Sequence, residues 1–392
     1  MTIKQLLSAV LAAAFCVTAA GCSKDGGSSA EITSGSAAES ESSFNKDITA
    51  MELTSDIKVG WNLGNTLDAT GGTGLYQETS WGNPTTTQEL IQAVKDAGFN
   101  AVRVPVTWEK QMDENYTINA EFMARVKEVV DYAYGIGMYV IVNMHHEEWY
   151  QPYAENEEAI SQRLKTCWSQ IAATFKDYDE HLIFEGMNEP RWKNTPNEWN
   201  GGNDEGRTVV NHLNQAFVDA VRASGGNNEN RFLMVCPYAA NSTEPALAAL
   251  EIPDDDRVIV SVHAYIPYAF ALASPGQSRW DKTRANSTCD IDTLAEVLDR
   301  LFISKGQAVI IGECGAMNRD NEEYREEWAE YYFGKFKSLG IPCFWWDNGA
   351  FTSGETFGLF DRRTNEVKYP DLLAGMMRGV NGQTAEVSGE AA

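Results

Sequence analysis

Residues 182–190 read LIFEGMNEP. Leu182, Ile183 and Phe184 form a short apolar run of buried-strand type, and Asn188, Glu189 and Pro190 follow as a breaker cluster that ends it. A carboxylate there is expected at the surface where a strand finishes, so Glu189 is placed at a strand's carboxyl end. The pattern returns far downstream. Ala308 to Ile311 is again an apolar run, and it leads through Gly312 into Glu313, Cys314 and Gly315. Two strands thus end on a glutamate, and in one parallel barrel the two carboxyl groups would face each other across its mouth.

Working outward, eight strand-like runs can be counted: 58–63, 101–104, 139–144, 182–184, 231–235, 258–262, 308–311 and 342–346. Helix-period stripes lie between them, for example Phe122, Val126, Val129, Val130 and Ala133, or Val210, Leu213, Phe217 and Val221. Thr87 is a natural N-cap for a helix over 90–97, and Gly98 is placed to end it. The weakest helix is expected near 245–250, and a last one over 372–378. Eight strand–helix units point to an α/β protein with a single (β/α)₈ barrel, and no G-x-G-x-x-G follows the first strand.

The 392 residues are 43% hydrophobic and 11% aromatic, enough for one large core. Against 31 Lys and Arg stand 56 Asp and Glu, a net charge of −25. That charge repels nucleic acid and anionic lipid headgroups, so a neutral or cationic partner is expected. Lys4, the apolar run 6–20 and the small residues before Cys22 read as an export signal over 1–21. The box Ala19, Ala20, Gly21, Cys22 resembles that of bacterial lipoproteins, with Ala19 where Leu is usual. Lipidation of Cys22 would hold the chain at an extracellular or cell-surface position, its sole membrane contact. Residues 22–50 are expected to be a flexible tether, 51–380 the catalytic barrel and 381–392 a polar tail. Seven cysteines show no C-x-x-C spacing, so no metal or redox site is indicated.

The strand ends are rich in chemistry: Asn65, Arg103, His145 and His146, Asn188 and Glu189, His263 and Tyr265, Glu313, and Trp346. Any one has a structural explanation, but the same kind of residue recurs at seven of the eight ends. Together with the stretches GWNLGNTLDA, GFNAVRVPVTW, VNMHHE, FEGMNEP, VHAYIPYAF, IGECGA and WWDNG, they make the chain resemble the retaining glycosidases of glycoside hydrolase family 5, in particular its endoglucanases. The resemblance implies hydrolysis of internal bonds in β-1,4-glucans and mixed-linkage glucans by a monomer without cofactor or metal. It makes Glu189 the general acid and base, with a pKa raised by burial and by the second carboxylate, and Glu313 the nucleophile. Arg103, His145, Asn188, His263 and Tyr265 are implied as their catalytic partners, and Asn65, His146 and Trp346 as sugar contacts. Trp149, Tyr150, Tyr153, Trp192 and Trp199 are of the kind that line a sugar cleft as aromatic platforms, and surface packing explains each about as well. A xyloglucanase or β-mannanase of the same fold is the alternative, and a non-catalytic oligosaccharide-binding lipoprotein a more distant one.

Overall fold

A computed structural model of the chain describes residues 44–382. Eight parallel strands close into a barrel in chain order: β1 Gly60–Leu63, β2 Ala101–Val104, β3 Tyr139–Asn143, β4 Leu182–Glu185, β5 Leu233–Val235, β6 Val258–His263, β7 Val309–Cys314 and β8 Cys343–Asp347. Alternation along each strand splits the apolar residues into two cores. In β3, Val140 and Val142 face outward to the helices, whereas Tyr139 and Ile141 face the barrel axis. Ile183, Met234, Ile259, Ile310 and Phe344 join them in the inner core. Phe344 reaches the axis because Gly60 has no side chain; a Cβ there would lie 2.0 Å from the Phe344 ring.

Ten helices accompany the strands among the described residues: α1 Ala50–Asp56, α2 Gln88–Asp96, α3 Ala120–Tyr134, α4 Glu157–Thr174, α5 Asp204–Arg222, α6 Glu244–Ala248, α7 Tyr268–Ala271, α8 Ala285–Leu301, α9 Glu322–Lys337 and α10 Pro370–Val380. Thr87 caps α2 by accepting the Leu90 N–H at 3.3 Å, as its position predicts. Gly98 follows in left-handed backbone, φ 106°. After β5 the expected weak helix is one short turn, α6.

The fold starts earlier than Met51. Phe44 is buried, the Asn45 N–H donates to Glu180 at 2.7 Å, and Thr49 and Glu52 form a capping box for α1. Leu53 and Ile57 of α1 then close the amino-terminal end of the barrel against the inner core. A single Phe in a polar run carries no period, so the sequence alone extends the tether to residue 50. The export segment and Cys22 lie outside the described residues, as does the tail from residue 383. No helix among the described residues is long and apolar enough to cross a membrane.

Candidate active site

At the carboxyl ends of the strands the inward-facing positions change from apolar to polar: Asn62 on β1, Arg103 on β2, Asn143 on β3, Glu185 on β4, Ser261 and His263 on β6, Glu313 on β7 and Trp346 on β8. Arg103 is at the centre and is fully buried. Its Nε donates to Glu185 Oε2 at 2.7 Å, Nη1 to Asn62 Oδ1 at 2.9 Å and to Glu313 Oε1 at 2.8 Å, and Nη2 to Asn188 Oδ1 at 2.7 Å. Burial opposes its charge, but the two carboxylates hold the guanidinium protonated.

This fork orients the groups around it. Since Asn188 accepts through Oδ1, its amide N–H₂ is left to donate elsewhere. Glu313 receives a second bond at Oε2, from the Tyr265 hydroxyl at 2.8 Å. Tyr265 has its pKa raised by burial and by Glu313, which keeps the proton on the donor. Asn143 accepts the Val106 N–H at 3.0 Å and turns its own N–H₂ to Glu185 Oε2 and His145 Nδ1, each at 3.0 Å. Burial pushes the His145 pKa well down, so the ring is neutral, with Nδ1 as acceptor and Nε2–H as donor. Trp346 lies parallel to that ring, at 5.7 Å and 2°.

Glu189 lies four residues beyond the end of β4, at the lip of the cleft. Its Oε1 pairs with His263 Nδ1 at 2.8 Å, and Oε2 is 3.5 Å from Arg191 Nη1. His263 Nδ1 is also 3.6 Å from Glu313 Oε2. One carboxylate oxygen of Glu189 comes within 4.8 Å of one of Glu313, with His263 between them. The expected upward shift of Glu189 is not found. Burial does raise its pKa, but the bond and charge of His263, with Arg191 and His146, outweigh it and lower it. His263 moves the other way: burial lowers its pKa, and the charges of Glu313 and Glu189 raise it. The pair therefore shares one proton, held mainly by the imidazole.

The remaining sequence-predicted residues divide. His146 lies beside Asp68, 4.0 Å away, and is kept neutral by burial. Asn65 is in left-handed backbone, φ 58°, with its N–H on Asp68 Oδ2 at 3.0 Å. Asp68, His145 and His146 form a close group, as do Glu189, His263 and Glu313. Both Asp68 oxygens accept backbone N–H groups, and the ring nitrogens His145 Nδ1 and His263 Nδ1 bond to protein partners, so these are hydrogen-bonding sets.

Most of the expected platforms are packing elements. Tyr150 is buried with its hydroxyl on the His145 carbonyl, Trp192 is buried with Nε1 on the Pro152 carbonyl at 2.8 Å and its ring on Tyr153, and Trp149 donates to Glu147 at 2.6 Å. Trp199 is open, at 54% exposure, with the Arg191 guanidinium 4.0 Å from its ring. A platform that the sequence reading missed is Trp81, 42% exposed and 5.6 Å from the His146 ring. Also missed were Glu185, Asn62, Asn143 and Ser261. The available signal was Arg103 inside the apolar run AVRV: an arginine in a strand buried on both faces requires carboxylates on neighbouring strands.

Residues 67–352 match the family model described as cellulase (glycosyl hydrolase family 5). The chain is 48% identical to endoglucanase A of Ruminococcus albus over 328 residues, 81% of this chain and 89% of that protein. It is also 48% identical to endoglucanase B of Neocallimastix patriciarum over 346 residues, 86% of this chain and 72% of that one. Among solved structures, a broad-specificity endoglucanase from Ruminococcus champanellensis with bound cellotriose superposes with a TM-score of 0.82 at 45% identity, covering 84% of this chain and 99% of its own. A xyloglucan-specific endo-β-1,4-glucanase from a metagenomic library, also with cellotriose, gives 0.81 at 44%, covering 85% and 98%. With this barrel, this carboxylate pair and these relatives, the chain is a glycoside hydrolase and belongs to glycosyl hydrolase family 5.

Proposed function

We propose that the protein is a retaining endo-β-1,4-glucanase in which Glu313 attacks the anomeric carbon and Glu189 serves as acid and then base. The observation that carries this is the approach of the two carboxylates within 4.8 Å across His263. Retaining enzymes hold their carboxyl groups about 5–5.5 Å apart, whereas inverting ones leave room for a water at about 6.5–9.5 Å. Arg103 and Tyr265 each donate to one oxygen of Glu313, which fixes the orientation of the group that attacks.

The shared proton gives the acid its cycle. In the sugar-free site it rests on His263. When a glycosidic oxygen and its chain displace water from Glu189, the carboxylate loses solvation, and the proton crosses from Nδ1 to Oε1. Glu189 delivers it to the departing oxygen as Glu313 forms the glycosyl–enzyme bond. A water then loses a proton to Glu189 as its oxygen displaces Glu313, restoring both groups. Asn188 donates its free N–H to the sugar 2-hydroxyl, His145 offers Nε2–H, and Trp346 carries the pyranose face. Trp81 and Trp199 supply exposed aromatic surface beside His146 and Arg191, which suits an extended chain cut internally.

Purified barrel is expected to release reducing ends from carboxymethylcellulose, lichenan and xyloglucan with a rapid fall in viscosity, and to leave mannan largely intact. Release from mannan alone would overturn the glucanase reading. For location we propose export and acylation at Cys22, supported by Lys4, the apolar run and the small residues before it. Cys22→Ser should move the enzyme from the membrane fraction to the medium. A native N-terminus other than residue 22 would refute it.

A further inference from the structure

The proton-sharing imidazole has a second nitrogen that the chemistry above does not use. His263 Nε2 is buried and has no hydrogen-bond partner among the described residues. It faces Gly312, at an irregularity in β7: the pairing with β8 shifts between Ile311 and Cys314, and His263 pairs with Glu313. A Cβ on Gly312 would meet Ser261 Oγ at 3.2 Å, His263 Nε2 at 3.4 Å and Glu185 Oε1 at 3.5 Å, with nothing nearer. Three polar atoms from two strands, β4 and β6, thus converge on one notch at Gly312 of β7 that only glycine leaves open. Ser261 Oγ and Glu185 Oε1 are bonded to each other at 2.6 Å, and neither reaches Nε2. The groups around it are the donor and acceptors that a bridging water needs.

We propose that the Gly312 notch holds a water that accepts from His263 Nε2–H and donates to Glu185 Oε1 and Ser261 Oγ, making these two residues positioning groups for the catalytic proton. The consequence follows from tautomer control. A ring whose Nε2–H is tied down has only Nδ1 to gain or lose a proton, and Nδ1 is the atom facing Glu189. Were Nε2 the basic atom, the proton would be stored on the wrong side of the ring, out of reach of the glycosidic oxygen. The charged and titratable groups around His263 agree with this polarity. Glu189, from the loop after β4, and Glu313 on β7 lie on the Nδ1 side. Glu185 on β4 lies beyond the notch, and Arg103 on β2, His145 after β3 and Tyr265 after β6 complete the surroundings. Burial lowers the His263 pKa, and the charges of Glu313 and Glu189 that raise it in spite of this are those expected around an imidazole that holds the proton between turnovers.

The inference rests on Glu189 as the acid, and the test separates the two. Gly312→Ala puts a methyl group where the water would sit, with only slight crowding of Ser261. Its kcat on a polysaccharide should fall about tenfold or more with little change in KM, and the alkaline limb of the pH profile should move to lower pH. The burst of glycosylation from a dinitrophenyl cellobioside, whose leaving group needs no proton, should change less than about twofold. Ser261→Ala, which keeps the notch open but removes one partner, should show the same leaving-group dependence more weakly. Equal loss on both substrates in Gly312→Ala, or none on either, overturns the proposal. Should Gly312→Ala fail to fold, ¹⁵N shifts of His263 in the unaltered enzyme decide: Nε2 protonated throughout, with Nδ1 alone titrating, supports the bridge, and an unprotonated Nε2 refutes it. If Glu189→Ala loses both substrates equally, the acid assignment fails first. If Glu189→Ala spares the activated substrate and Gly312→Ala does not, only the bridge fails.

Discussion

Given a cellobioside with a good leaving group and added azide, Glu189→Ala is expected to produce the β-glycosyl azide, and Glu313→Ala the α anomer. Without Glu189 the enzyme can still be glycosylated, because an activated leaving group needs no proton. The second step then stalls for want of a base, which an anionic nucleophile does not require, so azide enters from the face opposite Glu313 and restores turnover. Without Glu313 no covalent intermediate forms, and azide occupying its place attacks directly with inversion. On natural polysaccharide, loss of either carboxylate should lower kcat by at least about a hundredfold. Proton NMR of the two products reads the assignment, and a reversed pair of anomers would exchange the roles proposed for the two glutamates.

The second large effect belongs to Arg103. Arg103→Ala leaves Glu185 and Glu313 as buried carboxylates without a cation and Asn62 and Asn188 without their donor. Removing one partner of a buried ion pair costs about 3–5 kcal/mol, mostly from the charge left behind. The sign of the pH dependence follows: protonating the stranded carboxylates removes the uncompensated charge in the folded state. The stability deficit should therefore be greatest near neutrality and shrink as the pH is lowered, in contrast to the parent. Arg103→Lys should recover part of the stability but little of the rate, since a point charge cannot hold Glu185, Glu313, Asn62 and Asn188 at once. Urea unfolding at two pH values beside kcat on lichenan tests both parts. A parent-like midpoint for Arg103→Ala would show that the network is not what holds the mouth of the barrel together.

Legibility in this chain followed the range of the interactions concerned. Strand runs, helix stripes, the Thr87 cap and the Gly98 stop depend on neighbours within a few residues, so the barrel and the positions of Glu189 and Glu313 beyond strand runs could be read directly. The proposed carboxylate pair, and its partners Arg103 and Tyr265, came from motifs recurring at seven of the eight strand ends. Glu185 could not be read that way. It sits one residue past an apolar run, and its burial makes sense only against Arg103, 82 positions earlier. Arg103 in turn meets Glu313 across 210 positions. The same limit explains the aromatic residues: Trp192 and Trp199 lie in one polar loop, yet only closure of that loop over Pro152 buries the first and leaves the second open.

By itself the sequence determined the architecture and the placing of two glutamates at the mouth of the barrel, because periodicity and strand-end chemistry are written locally. Only the tertiary structure decided where the proton rests. That depends on charges brought together from β6, β7 and the loops after β3 and β4, which here outweigh burial to lower Glu189 and raise His263, against the expectation for an isolated buried carboxyl.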